Sequence, residues 1–307
     1  MAKLAVFVER YTLKTASELN ALLRFREAAD ALGHELDFLF RLELHRLPRY
    51  DGILLRALTD PMNTTYVAAR SAQLLGKRVI DDPESILICC DKVHMYRRLL
   101  RHGVRIPATQ FVDRADVTAE TGARLLDELG CPLVLKAPNS SFSKYVEKVA
   151  DPAAFVRVGT RFLRRADRIV VQEFVPSKFD WRVTTLGGRV LFCCRYVMAQ
   201  NCWRIRERDA AGHVIECQVQ AVELDQAPPK LLEVALDASR AIGGGLYGVD
   251  LKQIGSEFVV IEVNDNPNID AGYEDLQNPR VYRDVLGFLA GEWGAAARPS
   301  PELIASP

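Results

Sequence analysis

Two successive patterns along the chain limit what it can fold into. Segments typical of strands and of helices alternate up to about residue 176, and strands then follow one another directly from Asp180. In the first 88 residues the alternation predicts a parallel sheet flanked by helices. The later run of consecutive strands predicts an antiparallel sheet. The fold class indicated is therefore α/β combined with α+β.

The length of 307 residues exceeds what one small core needs and predicts several compact units. Breaker residues and the change of pattern divide the chain into three units and a tail. The units are an N-terminal α/β unit at 1–88, a central unit at 89–176 and a C-terminal unit at 177–294. The tail, 295–307, is rich in Ala, Pro and Ser and is expected to fray.

Capping residues place the first two helices. Ser17 suits the N-cap of a helix that ends near Gly33. The pair Asp60-Pro61 suits the cap and first residue of a second helix, which Gly76 would stop. Both helices would pack on the predicted parallel sheet.

Charge and cysteine content exclude several classes of protein. Forty basic residues balance forty acidic ones, so the net charge predicts neither a nucleic-acid partner nor a membrane partner. Seven cysteines without a C-x-x-C spacing indicate reduced thiols rather than a zinc site or a disulfide framework. No apolar run approaches the roughly 20 residues that span a bilayer. A cytoplasmic enzyme fits these features, while the oligomeric state, including a homo-oligomer, stays open.

A predicted hairpin near the end of the chain brings acidic groups together. A three-residue loop at Gly255–Glu257 would pair Ile254 with Phe258, and counting back then sets Asp250 opposite Glu262. Directly paired side chains lie roughly 5 Å apart at Cβ. Glu262 and Asn264 are two apart on one strand and share a face. Like charges this close need a cation, and oxygen ligands favour magnesium. The alternative is a solvated strand face, against which the flanking valines argue.

Five short segments in order carry a resemblance to a known superfamily. The chain resembles the ATP-grasp enzymes, most of all the branch of RimK-like and glutathione-synthetase-like carboxylate–amine ligases. The resemblance covers about residues 80–290, and the first 80 residues match only as a generic α/β domain preceding the ATP-grasp domain. The segments are Asp91-Lys92, Leu133–Lys136, Gln172–Val175 with Phe179–Arg182, Gly248–Lys252, and Ile261–Asn268.

The resemblance implies a role for each matching residue. Two lysines would contact the ATP phosphates, a hinge segment would hold the adenine, and an aspartate would accept from the ribose hydroxyls. Three arginines would hold the transferring phosphate or a substrate carboxylate. Two carboxylates and an amide would bind Mg²⁺, two ions in all, with Mn²⁺ as an alternative. In that order, these residues are Lys92 and Lys136; Gln172, Glu173, Phe174 and Val175; Asp180; Arg182, Arg195 and Arg204; and Asp250, Glu262 and Asn264.

One segment departs from the family pattern. The phosphate-covering loop is usually glycine-rich, because glycine permits close backbone approach and positive φ. Here the loop would be residues 139–146, which contain no glycine and place Tyr145 where glycine is expected. Ser141, Ser143 and Lys144 would supply the phosphate contacts instead. A surface turn unrelated to ATP is the alternative.

The function implied by the resemblance is ADP-forming ligation. A carboxylate would take the γ-phosphoryl group of ATP as an acyl phosphate, and an amine would then displace the phosphate. The substrates would be a small-molecule or peptide carboxylate and amine, whose identities the sequence leaves open. Two alternatives belong to other classes: a kinase that phosphorylates a hydroxyl on the same scaffold, and a non-catalytic ATP-binding regulatory protein.

Overall fold

A computed structural model describes residues 1–140, 145–200, 202–208 and 213–293. The N-terminal unit contains a four-stranded sheet in the order β2-β1-β3-β4, and every neighbouring pair is parallel. The predicted parallel sheet is thus confirmed. Its elements are β1 (Lys3–Val8), α1 (Ala16–Leu32), β2 (Glu35–Leu39), β3 (Gly52–Arg56), α2 (Thr64–Leu74) and β4 (Arg78–Ile80).

The first two helices begin at other residues than the sequence predicted. Helix α1 has Thr15 rather than Ser17 at its N-cap. Helix α2 is capped by Asn63, whose side chain accepts from the Tyr66 N–H at 3.2 Å. Asp60 instead accepts from the Met62 N–H at 2.8 Å, which closes a turn before the helix. Several adjacent residues carry side chains that can cap a helix, so the pattern of residue types does not determine which of them does.

The central unit follows two helices that connect it to the first sheet. Its four strands have the order β5-β8-β6-β7 and all pair antiparallel, although helices lie between them in sequence. The side chain of Asp91 caps α4 by accepting from the N–H groups of Val93 and His94. The elements are α3 (Pro83–Cys89), α4 (Lys92–Arg101), β5 (Thr109–Asp113), α5 (Ala119–Leu129), β6 (Leu133–Lys136), β7 (Val146–Val149), α6 (Pro152–Phe162) and β8 (Arg168–Glu173).

The C-terminal unit is built on the predicted antiparallel sheet. Five strands have the order β13-β10-β9-β14-β15, and a separate strand pair, β11 with β12, lies beside them. No helix among the described residues is long and apolar enough to cross a membrane. The elements are β9 (Phe179–Leu186), β10 (Arg189–Val197), β11 (Arg206–Arg208), β12 (Val214–Glu216), β13 (Gln218–Val222), α7 (Pro229–Ile242), β14 (Leu246–Ile254), β15 (Glu257–Asn264) and α8 (Val281–Ala290).

The β14–β15 hairpin reaches the predicted acidic pair by a different route. Its turn has two residues rather than three, so Ile254 pairs with Glu257 and not with Phe258. Gly255 has φ +61°, which suits the first position of a tight hairpin turn. A β-bulge then shifts the register, and Asp250 pairs with Glu262 as predicted. Without the bulge, Asp250 would have faced Ile261.

Buried apolar side chains form separate cores that group the units differently from their sequence order. One core joins the N-terminal sheet to the far end of the C-terminal sheet and to helix α8, through residues such as Leu54, Leu186 and Leu286. The sheet of the central unit is packed on its own core, which includes Leu135 and Phe155. The C-terminal helix therefore packs with the first strands of the chain.

Candidate active site

A pocket lies between the central sheet and the C-terminal sheet. The ends of β6 and β8 form one side, and the hairpin of β14 and β15 with β9 forms the other. Most of the residues predicted from the sequence lie in it. Its lining is Lys92, Pro107, Val134, Lys136, Val146, Gln172, Glu173, Phe174, Val175, Asp180, Trp203, Arg204, Ile205, Asp250, Lys252, Ile261 and Glu262.

The acidic end of the pocket is the hairpin pair with its neighbouring amide. Asp250 and Glu262 are register partners, so their side chains share one face of the sheet. The Asn264 amide donates from Nδ2 to Asp250 Oδ2 at 3.2 Å and to the Gly248 carbonyl at 3.2 Å. Asp250 therefore accepts a hydrogen bond from Asn264 and faces Glu262 directly across the hairpin.

Arg182 binds the Asp250 carboxylate at this acidic end. Its Nε and Nη2 atoms donate to the two oxygens of Asp250 at 2.5 and 2.8 Å, and both side chains are buried. A bidentate arginine–carboxylate pair fixes the orientation of both partners. The sequence predicted Arg182 as a direct phosphate or carboxylate contact, whereas here the guanidinium orients Asp250.

Lys92 occupies the space beside Glu262. Its Nζ lies 2.8 Å from Glu262 Oε1 and donates to the Ser140 carbonyl at 2.6 Å. Burial alone would raise the pKa of Glu262, but the Lys92 and Lys136 ammonium groups outweigh it, and that pKa lies below its ordinary value. Glu262 is therefore an anion, as a metal or cationic ligand requires.

Lys136 is buried at the end of β6. Its Nζ donates to the Tyr96 hydroxyl at 2.7 Å. Burial lowers the pKa of this ammonium to about 7, although Glu262 opposes the shift. A lysine held in this way is close to its midpoint at neutral pH and is stabilised in its charged form by an arriving anion.

Asp180 and Lys252 form a buried ion pair farther along the pocket. Lys252 Nζ lies 2.6 Å from Asp180 Oδ1. Burial raises the pKa of Asp180, and Lys252 partly offsets this effect. Lys252 was not predicted as a site residue, yet its spacing was a usable signal, because residues two apart on a strand share a face and Lys252 follows Asp250 by two.

The opposite end of the pocket is an apolar slot. Val134, Val146 and Ile261 line it together with the rings of Phe174 and Trp203, which meet edge to face with centroids 5.8 Å apart. Two of the hinge side chains, those of Gln172 and Glu173, hydrogen-bond within the protein. Glu173 Oε1 accepts from the Ala108 N–H at 3.0 Å, and Gln172 Nε2 donates to Thr109 Oγ1 at 2.8 Å. These bonds tie the hinge to β5 and its lead-in residues.

Two predicted arginines are placed differently from one another. Arg204 lines the pocket and donates to the Val146 carbonyl at 2.7 Å. Arg195 is the register partner of Trp181, so it lies on the opposite face of the sheet from Asp180 and Arg182. Its guanidinium carbon lies 4.5 Å from the centroid of the Trp181 ring. The alternation of side chains along β10 turns Arg195 away from the pocket, which does not fit the role predicted for it.

The predicted phosphate loop is described only in part. Ser141, Ser143 and Lys144 lie outside the described residues, as does the tail at 295–307. On the near side of the loop, the Lys92 N–H donates to the Pro138 carbonyl at 3.1 Å, which holds the start of α4 against the end of β6. Tyr145, just beyond it, has φ +60°, the left-handed conformation that glycine adopts more readily.

Comparison with known proteins places this pocket in a family. A family model for the RimK-like ATP-grasp domain matches residues 89–277, more than half of the chain. The chain belongs to the RimK-like ATP-grasp family. The predicted family and fold are confirmed.

Relatives of known name extend this comparison over most of the chain. A probable alpha-L-glutamate ligase of Sodalis glossinidius is 27% identical over 289 residues, which cover 87% of this chain and 91% of the relative. The glutamate–LysW ligase ArgX of Sulfolobus acidocaldarius is 25% identical over 257 residues, which cover 80% of this chain and 84% of that protein.

A solved structure shares the fold. The ATP-grasp ligase PsnB, complexed with a phosphomimetic variant of its minimal precursor, Mg and ADP, superposes on this chain with a TM-score of 0.64. The two chains are 15% identical, and the superposition covers 94% of this chain and 98% of that one. At this identity the likeness concerns the fold alone.

The acidic end of the pocket fits the magnesium that ATP-grasp ligases use. Among the described residues, no group of three or more His, Cys, Asp or Glu side chains has the arrangement of a complete metal site. Two carboxylates and one amide oxygen are instead the partial set that Mg²⁺ takes when nucleotide phosphates and water complete its coordination. Arg182 and Lys92 now compensate the charge of the two carboxylates.

Proposed function

We propose that this protein is an ATP-dependent ligase that joins a carboxylate to an amine through an acyl phosphate and releases ADP and phosphate. The observation that carries the proposal is the polarity of the pocket. An apolar slot suited to a nucleobase lies at one end, and carboxylates with buried lysines lie at the other. Family membership supports the same reading.

Each part of the pocket has a chemical task in this proposal. Lys92 and Lys136 bind the phosphates as point charges, and Asp180 accepts from the ribose hydroxyls. Asp250, Glu262 and Asn264 would hold two magnesium ions, or manganese in their place. When bound, the metal would supply neutralisation of charge on the transferring phosphoryl group. Arg182 orients Asp250, and Arg204 holds the substrate carboxylate.

The reaction needs positioning rather than a nucleophile from the protein. A carboxylate oxygen attacks the γ-phosphorus of ATP, the bond to the β,γ-bridging oxygen breaks, and ADP leaves. The amine nitrogen then attacks the acyl carbon, phosphate leaves, and the nitrogen loses a proton. Holding the reactants together and excluding water supplies the rate acceleration.

We further propose glutamate as the amino acid to test first, joined to a small-molecule or peptide acceptor. The support is the shared naming of the relatives, which are called glutamate ligases. We also propose a cytoplasmic location.

The products of the reaction test the proposal directly. With acid and amine present, we expect ADP, inorganic phosphate and amide in equal amounts, because the terminal phosphorus is attacked. With the acid alone, hydroxylamine should trap an acyl hydroxamate. AMP as the nucleotide product would contradict an acyl-phosphate mechanism. ADP with a stable phosphorylated alcohol and no free phosphate would identify a kinase.

Nucleotide binding should also take up a proton. Burial leaves the pKa of Lys136 at about 7, so at pH 8 this group is mostly neutral in the nucleotide-free protein. Phosphate anions beside it favour the charged form and raise its pKa. Calorimetric titration with ATP in EDTA should therefore give binding enthalpies that vary with the ionisation enthalpy of the buffer. Lys136→Met should abolish that dependence; an unchanged dependence would assign the proton to another group.

A further inference from the structure

The hydroxyl of Tyr96 joins three elements inside the protein. Tyr96 is fully buried on α4, one turn after Lys92. Its hydroxyl donates to the Ile261 carbonyl at 2.6 Å and accepts from Lys136 Nζ at 2.7 Å. The Gln172 Oε1 atom lies farther away, at 3.4 Å. One oxygen atom therefore connects helix α4, the end of β6 and the strand β15.

The contact at Ile261 falls on the bulge that sets the hairpin register. Leu251 pairs with Val260 and Asp250 pairs with Glu262, so Ile261 is the additional residue. The carbonyl of a bulged residue drops out of the ladder and needs another donor. Tyr96 supplies that donor. Keeping Ile261 out of the ladder is what moves Glu262 opposite Asp250.

A second side chain of α4 holds the strand on the other side of Glu262. Met95 Sδ accepts the Val263 N–H at 3.3 Å. The two contacts from α4 therefore fix backbone groups immediately before and immediately after Glu262. Because β15 is the outer strand of its sheet, these contacts take the place of a further neighbouring strand.

We propose that the Tyr96 hydroxyl is a positioning group that couples the phosphate-binding Lys136 to the register of the metal-binding strand. It orients the Lys136 ammonium from one side and stabilises the Ile261 bulge from the other. This inference rests on the proposed ATP site and adds to it a residue that touches neither nucleotide nor metal. It predicts two separable defects when the hydroxyl is removed.

Tyr96→Phe is the variant that tests the proposal, because it keeps the ring and removes only the hydroxyl. Calorimetric titration with ADP in EDTA should show affinity reduced roughly five- to tenfold, the effect of losing one ordinary side-chain hydrogen bond. In a Lys136→Met background the same change should cause no further loss. Two groups that act through one interaction are non-additive in such a cycle.

A titration with magnesium tests the contact between the Tyr96 hydroxyl and the Ile261 carbonyl. The concentration of MgCl₂ that half-maximally enhances ADP binding should rise severalfold in Tyr96→Phe. It should rise equally in the Lys136→Met background, because this effect passes through Ile261. The matched control is Tyr247→Phe, another fully buried tyrosine whose hydroxyl lies 2.7 Å from Ser85 Oγ outside the pocket. It should change neither titration.

Three results would overturn the proposal: additive losses of ADP affinity in the cycle, no loss in either titration, or unfolding of Tyr96→Phe while Tyr247→Phe stays folded. The last would make the hydroxyl a general stability element. The titrations use no second substrate. A protein that shows the predicted cycle but forms no amide would therefore refute the ligase activity and leave the role of Tyr96 standing.

Discussion

Replacing Glu262 with Gln is expected to lower the ligase rate by about a hundredfold or more, since a catalytic metal supplies several kcal/mol of transition-state stabilisation. Glu262 faces Asp250 across the hairpin, and its carboxylate is the anion that Lys92 now compensates. Glutamine keeps the shape and loses the charge. The amide product is measured at saturating MgCl₂, with thermal unfolding as the check on the fold.

The matched control for this variant lies on the same strand. Glu257 begins β15 and pairs with Arg105 at 2.5 Å in an exposed salt bridge outside the pocket. Exposed pairs contribute little, so Glu257→Gln should leave the rate unchanged. A Glu262→Gln enzyme that works at the parent rate would show that the metal is bound elsewhere.

Replacing Lys136 with Met is expected to weaken ATP binding by about ten- to a hundredfold, the effect of removing one charge-assisted contact. Calorimetry with ATP measures the loss. Lys230→Met, which removes a lysine from an exposed pair with Glu233, is the control and should bind ATP like the parent. Equal affinity in Lys136→Met would mean that this ammonium does not contact the nucleotide.

Unfolding cannot account for the expected loss of affinity in Lys136→Met. Burial lowers the pKa of Lys136 from its ordinary value to about 7, so the folded protein binds this proton less tightly than the unfolded chain does. Below the pKa that Lys136 has in the unfolded chain, this difference lowers the free energy of unfolding. The loss is largest below the pKa that Lys136 has in the folded protein. Methionine removes this loss. At pH 7 the variant should therefore be at least as stable, with a gain that shrinks as the pH rises.

The fold was predictable where local patterns are strong. Alternating strand and helix segments predicted the parallel sheet, and the consecutive strands from Asp180 predicted the antiparallel one. The hairpin is more instructive, because its turn was predicted one residue too long and the predicted pairing of Asp250 with Glu262 was still correct. A bulge restored the register. Bulges depend on tertiary contacts such as that of Tyr96 and leave no mark in the pattern of residue types.

The site was predictable in its residue types and less so in its pairings. Most of the predicted residues line one pocket, and their roles toward ATP and magnesium remain predictions. Arg195 was misplaced because both faces of β10 carry polar or aromatic side chains, which hides the alternation. Lys252 and Tyr96 were missed, although each shares a face with a predicted residue. Spacing identifies neighbours on one element, whereas contacts between elements need coordinates.

The packing of α8 on the first strands has a consequence for how the protein is made. Helix α8 shares a core with β1 and β3, through Leu286 and Leu289 against Leu4 and Leu54. On the ribosome, the N-terminal sheet emerges first, and α1 covers only part of the apolar face that α8 also covers, so the rest of that face stays exposed until α8 has been translated. Domains that complete early in synthesis fold as they emerge. This one must wait for nearly the whole described chain, so a truncated product that ends before α8 should aggregate or engage chaperones.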